Sequence, residues 1–268
     1  MSLLRTDKEI RAERAKTLFV AWTGGMFIGL IVWVMRFFGR LKVKGLHKRR
    51  LRKMMRETGR GAVIISNHPS MTETFITPGL FFPGFLFRAD SMPISTPDKR
   101  FYNARWFSPI RPTCLSVDRE RSAGFVKAMV ERLREKRVVI LFAEGGRTYR
   151  GNDFKYLGDK RIRRFKPGID RMLSMGGNKI IDKKLSVEEG KPVNRTLGPI
   201  IIPAWSEGGE SVIPNVDYDG ERRWLPFPRL WRKMSISFGK PVLFEDIEGE
   251  GLLERLEDMV LALSKKGG

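Results

Sequence analysis

The segment GAVIISNHP, residues 61–69, begins with a glycine, continues as an apolar, largely β-branched run and ends in a polar turn. A short apolar run bounded by such turn residues is typical of a buried strand. The segment VVILF, residues 138–142, repeats the pattern and leads into the turn Ala143-Glu144-Gly145-Gly146. The two runs therefore predict two buried strands that end in polar residues.

Two further strands and two helices are predicted along the chain. Residues 199–203 are an apolar run bounded by prolines, and residues 235–238 alternate between polar and apolar side chains. Residues 122–136 and 252–263 each place apolar side chains on one helical face. Because strands alternate with helices, the sequence predicts an α/β fold with a mixed sheet flanked by helices.

The composition of the 268-residue chain is strongly basic. It contains 51 Lys+Arg against 30 Asp+Glu, a formal net charge of +21 at pH 7. That excess requires an anionic partner, such as nucleic acid, an anionic bilayer or an acidic carrier protein. A single cysteine, Cys114, excludes an intramolecular disulfide and fits a reducing compartment. With His47 and His68 as the only histidines, we expect no metal site.

The N-terminus predicts contact with a membrane. Residues 17–35 are 19 residues without a charge, which as a helix would extend about 28 Å. The glycines at 24, 25 and 29 weaken a straight span, so a spanning helix and one lying in the interface both stay open, beside a buried core helix. Residues 36–56 follow with ten Lys or Arg and no acidic residue. We therefore expect this side to face the cytoplasm, at the inner membrane in a bacterium, and to bind anionic lipid.

One histidine, His68, is a candidate catalytic residue because of its position after a predicted strand. His68 follows the predicted strand, and Glu73 lies five positions later. Five residues turn a regular helix by about 140°, so the two side chains meet only if His68 precedes a helix that contains Glu73. Pro69 favours that arrangement, because it disfavours helical geometry in the preceding residue and is itself suited to a first helical turn. The carboxylate would then orient the imidazole as a general base.

Seven short motifs between residues 42 and 242 occur in an order that resembles the glycerophospholipid acyltransferase superfamily, in particular the 1-acylglycerol-3-phosphate acyltransferases. They are residues 42–45, 67–73, 116–119, 142–147, 165–168, 201–204 and 238–241. Asn67-His68-Pro69-Ser70-Met71-Thr72-Glu73 is similar to the family's N-H-x-x-x-x-D signature, with glutamate in place of the commoner aspartate. Phe142 to Arg147 is similar to F-P-E-G-T-R, with Ala143 and Gly146 as departures.

The resemblance implies a reaction and a division of the chain. A fatty acyl group would pass from a thioester, acyl-CoA or acyl carrier protein, to the free hydroxyl of a lysophospholipid, with 1-acyl-glycerol-3-phosphate as the favoured acceptor. His68 would be the general base and Glu73 its partner, and no cofactor or metal would be needed beyond the acyl donor. Residues 1–56 would form the membrane-associated segment and basic linker, and residues 57–268 the acyltransferase domain.

The resemblance also implies residues that bind the substrate. Glu144, Gly145 and Arg147 would hold the polar end of the acceptor, together with Lys166. Arg119 and Arg88 are candidates for its phosphate, since a guanidinium can donate two parallel hydrogen bonds to phosphate. For both arginines the alternative is an ordinary surface or salt-bridge role, and for Arg147 it is a brace to Glu144.

A second class of function is compatible with the charge alone. A basic protein without enzymatic activity, bound to an anionic membrane or to nucleic acid, would explain the net charge and residues 36–56. It would not explain the order of the motifs, so we expect a membrane lipid and no nucleic acid as partner. The acyl chain length, the acyl donor, the acceptor headgroup and the oligomeric state are left open by the sequence.

Overall fold

The structure, a computed structural model, describes residues 7–103, 105–117, 122–146, 148, 152–176, 178–182, 193–214 and 227–266. Its centre is a six-stranded sheet in which five strands lie side by side and a sixth, short strand pairs with one of these five. The five strands are, in spatial order, β1 (Leu41–Lys44), β9 (Met234–Phe238), β8 (Ile200–Glu207), β2 (Ala62–Ser66) and β3 (Val138–Phe142). The sixth, β10 (Val242–Leu243), pairs with the first residues of β8.

The sheet is mixed, as predicted. Strands β8, β2 and β3 run parallel, whereas β9 is antiparallel to β8 and parallel to β1. Two ribbons of two antiparallel strands lie outside this sheet. They are β4 (Phe154–Leu157) with β5 (Lys160–Arg163), and β6 (Asn178–Asp182) with β7 (Val193–Leu197).

Helices connect the strands. They are α1 (Asp7–Val20), α2 (Met26–Phe37), α3 (Lys48–Thr58), α4 (Thr72–Gly79), α5 (Lys99–Asn103), α6 (Ser122–Arg134), α7 (Ile169–Met175), the single turn α8 (Gly209–Val212) and α9 (Leu252–Leu261). A π-helical turn, Ala21–Gly25, joins α1 to α2 without a break. Short 3₁₀ turns lie at Gly84–Leu86, Ala89–Ser91, Arg105–Thr113, Phe244–Asp246 and Ser264–Lys266.

Each face of the sheet carries its own hydrophobic cluster. Alternate residues of β2 point to opposite faces, so Ile64 belongs to one cluster and Ile65 to the other. The first cluster includes apolar side chains from α1 to α4, and the second includes side chains from α6, α7 and α9. The central strands are buried on both faces for this reason, which explains why their sequences are continuous apolar runs.

The sequence predicts the central strands well. The runs at 61–65, 138–142, 199–203 and 235–238 form β2, β3, β8 and β9, although β8 continues four residues further than the run implies. The helices predicted at 122–136 and 252–263 correspond to α6 and α9. The division at residue 56 stays a prediction. Strand β1, which lies before that position, pairs with β9 and is part of the same sheet as the C-terminal half.

The N-terminal apolar segment lies within a continuous helix, Arg11–Phe37, that is long and apolar enough to cross a membrane. Only a third of its most apolar window is buried. One face packs on the domain, and Gly29 allows the close approach, since a Cβ there would overlap the Phe82 ring. The other face exposes large side chains to the surroundings: Phe19, Trp22, Met26, Phe27, Leu30, Trp33, Val34 and Phe37.

Candidate active site

The carboxyl ends of three parallel strands meet at one edge of the sheet. Ser66, the last residue of β2, pairs with Phe142 of β3 and with Ala204 of β8. The polar residues that follow β2 and β3 therefore leave the sheet side by side. Ligands of open α/β sheets commonly bind at this edge.

His68 and Glu73 face each other across the turn that follows β2. The His68 Nδ1 atom lies 3.7 Å from a carboxylate oxygen of Glu73, beyond hydrogen-bond distance but within range of an ion pair. Helix α4 begins at Thr72, so Glu73 is in its first turn and His68 precedes it. We expected this helix to begin at Pro69. It begins three residues later, because residues 69–71 form the bend that directs His68 towards α4.

The Glu73 carboxylate is fully buried and is held by short hydrogen bonds. The Ser70 backbone N–H donates to one oxygen at 2.9 Å, and the Ser70 hydroxyl donates to the other at 3.0 Å. The Ser206 hydroxyl, from the extended end of β8, lies 3.3 Å from that second oxygen. These donors compensate the carboxylate for the water that it loses on burial.

The imidazole of His68 is fixed from its other side by an aromatic ring. It stacks on Phe142 with the ring centroids 4.2 Å apart and the planes 23° from parallel. The side chain of His68 is 13% exposed. Its Nδ1 atom is buried and, among the described residues, has no hydrogen-bond partner. The Glu73 carboxylate therefore faces the Nδ1 atom of the imidazole.

Asn67 ties the His68 turn to β8. Its side-chain amide donates to the Ser206 carbonyl at 2.8 Å, and its side-chain oxygen accepts from the Ser206 backbone N–H at 2.7 Å. This pair of bonds continues the pairing of β2 with β8 by one residue. The turn is thereby anchored to the strand that also supplies the Ser206 hydroxyl.

Glu144 is buried next to the backbone of His68 and accepts hydrogen bonds there. One oxygen accepts the His68 backbone N–H at 2.9 Å and the Thr148 hydroxyl at 2.9 Å. The Thr148 backbone N–H in turn donates to the His68 carbonyl at 2.9 Å. Glu144 is fully buried.

Burial raises the pKa of Glu144 to about 7. Hydrogen bonds from the His68 backbone, the Thr148 hydroxyl and the Arg163 backbone lower the pKa again, as does the charge of Arg163, but by less than burial raises it. The structure thus places Glu144 against the His68 backbone, and its role towards the acceptor stays a prediction.

The other predicted substrate-binding residues fall into three groups. Gly145 follows Glu144 with φ at 65°, and a Cβ there would come within 2.8 Å of the Lys166 side chain, so these two residues adjoin Glu144. Arg88 is exposed and follows Phe87, whose ring meets Trp22 of the N-terminal helix at 6.3 Å. Arg119 and Arg147 lie outside the described residues, so their roles stay predictions.

Several residues of the site were not predicted from the sequence. Arg163 and Ser206 are separated from the His68 turn by many residues, and neither belongs to a polar pattern that would single it out. Asn67 and Ser70 were predicted only as part of the motif, although both make hydrogen bonds that hold it. Burial raises the pKa of the Cys114 thiol to about 12, so this cysteine is not a nucleophile at neutral pH.

Comparison with known proteins identifies the family of this fold. The family model for acyltransferases matches residues 40–205, more than half of the chain. No curated protein is similar enough in sequence to count as a match. Among solved structures, the fold resembles the 1-acyl-sn-glycerophosphate (LPA) acyltransferase PlsC from Thermotoga maritima, with a TM-score of 0.52 and 15% sequence identity over 96% of each chain. At that identity the likeness concerns the fold.

The raised pKa of Glu144 predicts a pH dependence of stability. Between its ordinary pKa of 4.5 and about 7, the unfolded chain has lost the proton while the folded chain retains it. The stability contributed by this group is therefore greatest at low pH and falls as the pH rises through that window, by about 3 kcal/mol in all. Glu144→Gln cannot ionise, so it should remove this part of the decline in the free energy of unfolding between pH 5 and 8.

Chemical denaturation of both proteins across that range measures the effect, with exposed Glu250→Gln as the control. An unchanged slope in Glu144→Gln would mean that Glu144 is already ionised throughout.

Proposed function

The chain belongs to the acyltransferase family, and we propose that it transfers a fatty acyl group from a thioester to the free hydroxyl of a lysophospholipid, with His68 as general base. The observation that carries the proposal is the buried Glu73 carboxylate 3.7 Å from the His68 Nδ1 atom, at the edge where β2, β3 and β8 end. A histidine so oriented can take a proton from a hydroxyl at its other nitrogen.

The proposed reaction proceeds without a covalent enzyme intermediate. His68 Nε2 removes the proton of the acceptor hydroxyl as its oxygen attacks the thioester carbonyl carbon. The tetrahedral intermediate then collapses, the carbon–sulfur bond breaks, and the thiolate leaves with the proton held by His68. Glu73 stabilises the imidazolium that exists between these two steps. A thioester is already activated, so the reaction does not require a serine or cysteine nucleophile.

The acceptor in this proposal is a lysophosphatidate-like lipid, and its phosphate needs cations. Lys166 adjoins Gly145, and the Arg163 guanidinium lies close enough to Glu144 to lower its pKa. Arg119 and Arg147 are proposed as further phosphate ligands on the family resemblance. Both acyl-CoA and acyl carrier protein carry anionic groups that would be attracted to a chain with a net charge of +21.

We propose further that the N-terminal helix lies on the domain and inserts its outer face into the bilayer. A helix that crossed the membrane would place both faces in lipid, whereas Val20, Val32 and Met35 are buried in the core. The outer face is rich in aromatic side chains, as expected of a helix in the interfacial region. Helix α3 adds exposed basic side chains that suit anionic headgroups on the cytoplasmic side: Arg49, Arg50, Arg52, Lys53 and Arg56.

A second segment lies next to the end of this helix. The Met234 backbone N–H donates to the Arg40 carbonyl at 2.9 Å, so the residues before β9 adjoin those before β1. Two exposed aromatic side chains, Phe227 and Trp231, precede β9 in this segment. We include this segment in the proposed membrane contact.

The general-base role predicts a large loss of activity for His68→Ala. The turnover number should fall by a factor of about 10² to 10⁴, because proton transfer from the hydroxyl is no longer assisted. The measurement is thiol release together with mass spectrometry of the lipid product, with a panel of lysolipids and both acyl-CoA and acyl carrier protein donors. His47→Ala replaces the other histidine, which is exposed, and should leave turnover unchanged.

Glu73→Gln should reduce turnover less than His68→Ala does, because the base remains while its orientation is weakened. If His68→Ala kept more than about a tenth of the turnover, His68 would not be the general base.

The membrane proposal predicts that exposed aromatics of α2 contribute to lipid binding. Phe27→Ser together with Trp33→Ser should weaken binding to vesicles that contain anionic lipid by at least about tenfold, since each ring buries a large apolar area in the bilayer. Both side chains are exposed, at 66% and 59%, so the melting temperature should not change. Tyr156→Ser, 62% exposed on β4, is the matched control.

Flotation of the full chain with vesicles measures this binding. Truncation of the helix is a poor test, because Val32 and Met35 belong to the core. Undiminished flotation of the double variant would contradict insertion of this face.

A further inference from the structure

We propose that Gly209 is a positioning residue for the reaction: the absence of a side chain at this position provides the space that the Glu73 carboxylate occupies beside His68. The inference rests on the proposed function, in which Glu73 orients the general base. It concerns a residue 136 positions away from Glu73 in the chain. Gly209 is the first residue of α8, the single turn that follows β8.

The space at Gly209 is filled by the carboxylate. A Cβ atom at position 209 would overlap the Glu73 Oε1 atom and would lie 3.1 Å from the Glu73 Cδ atom. It would also lie 2.7 Å from the Ser70 Oγ atom, which is the hydroxyl that donates to Glu73. Non-bonded carbon atoms pack at 3.5–4.0 Å, so even the smallest side chain is excluded here while Glu73 keeps its place.

The backbone of Gly209 cannot move aside to relieve that overlap. Its carbonyl accepts the Thr72 hydroxyl at 2.6 Å, and the same hydroxyl accepts the Ile213 backbone N–H at 3.2 Å. The preceding Gly208 is fixed in the left-handed region, with φ at 82°, against the Lys233 carbonyl. These contacts pin α8 to the first turn of α4, the turn that carries Glu73.

The Glu73 carboxylate is therefore the group that would have to shift. It is fully buried, so any shift would weaken the hydrogen bonds that it accepts from Ser70 and Ser206. A methyl group at 209 would displace the carboxylate oxygens from the place where they orient His68 in the proposed reaction. The expected effect is on the chemical step and not on substrate binding.

The length of the acidic side chain supplies a direct test. Aspartate is shorter than glutamate by one methylene, which withdraws its carboxylate from residue 209 by about 1.5 Å. A methyl group at 209 and an aspartate at 73 should therefore be compatible, whereas a methyl group and a glutamate are not. The two positions are predicted to be coupled, which independent structural defects would not be.

The experiment compares Gly209→Ala, Glu73→Asp and the double variant. Gly209→Ala should lower kcat by about 10²-fold, since a displacement of about 1 Å in a catalytic group can have this effect, while the KM values for donor and acceptor change less than about twofold. Introducing Glu73→Asp into Gly209→Ala should raise kcat by at least about tenfold. Gly124→Ala is the control, because a Cβ at Gly124 on α6 meets nothing within 4 Å.

Each outcome decides the inference. Full activity of Gly209→Ala, or a double variant no more active than Gly209→Ala, would overturn it. If Gly209→Ala fails to fold, the double variant is decisive, since recovery of folding and turnover supports the inference and continued loss overturns it. His68→Ala separates this result from the proposed function, because an active His68→Ala would refute the mechanism itself, whatever Gly209→Ala does.

Discussion

A carboxylate removed from water has to receive hydrogen bonds from the protein, and the burial of Glu73 imposes this requirement on three separate parts of the chain. The turn after β2 supplies the Ser70 backbone N–H and hydroxyl, and the extended end of β8 supplies the Ser206 hydroxyl. The turn into α8 supplies an empty volume at Gly209. An unsatisfied buried carboxylate would cost several kcal/mol, so these segments have to be in place before the site is stable. The fold and the site are thus formed together.

The parallel arrangement of β2, β3 and β8 is what allows so few residues to form the site. Parallel neighbours point their carboxyl ends to the same edge, so polar residues one or two positions after β2 and β3 lie together beside the extended end of β8. The turns after β2 and β3 are then joined through Glu144, which accepts from the His68 backbone, and the turn after β2 is joined to β8 through Asn67. Because Glu144 holds the backbone of His68, and Asn67 holds the turn before it, the position of His68 does not depend on Glu73 alone.

The sequence predicts those features that depend on neighbouring residues. The runs in β2, β3 and β8 are continuous and apolar because both faces of the sheet are covered, and that pattern is visible locally. The proximity of His68 and Glu73 follows from Pro69 and the helix after it. Strand β1 was not predicted, because four residues with alternating lysines gain their strand geometry only by pairing with β9, almost two hundred residues away. The contributions of Ser206 and Gly209 were not predictable for the same reason, since the packing that gives them a role is tertiary.

The N-terminal helix shows why hydropathy alone does not distinguish a core helix from a membrane helix. A Cβ at Gly79 would lie 2.8 Å from the Val32 side chain, so α4 and α2 are in contact at the end of α4. Glu73 lies six residues before Gly79, about 9 Å along the axis of α4. The helix that carries Glu73 therefore packs against the inner face of the helix proposed to contact lipid. A flexible tether would let the site sample many heights above the bilayer, whereas this packing fixes one. In the proposed reaction and placement, the acceptor would have to raise its hydroxyl to that height while its acyl chain stays in apolar surroundings, so the distance from α2 to His68 would itself restrict which lipids react.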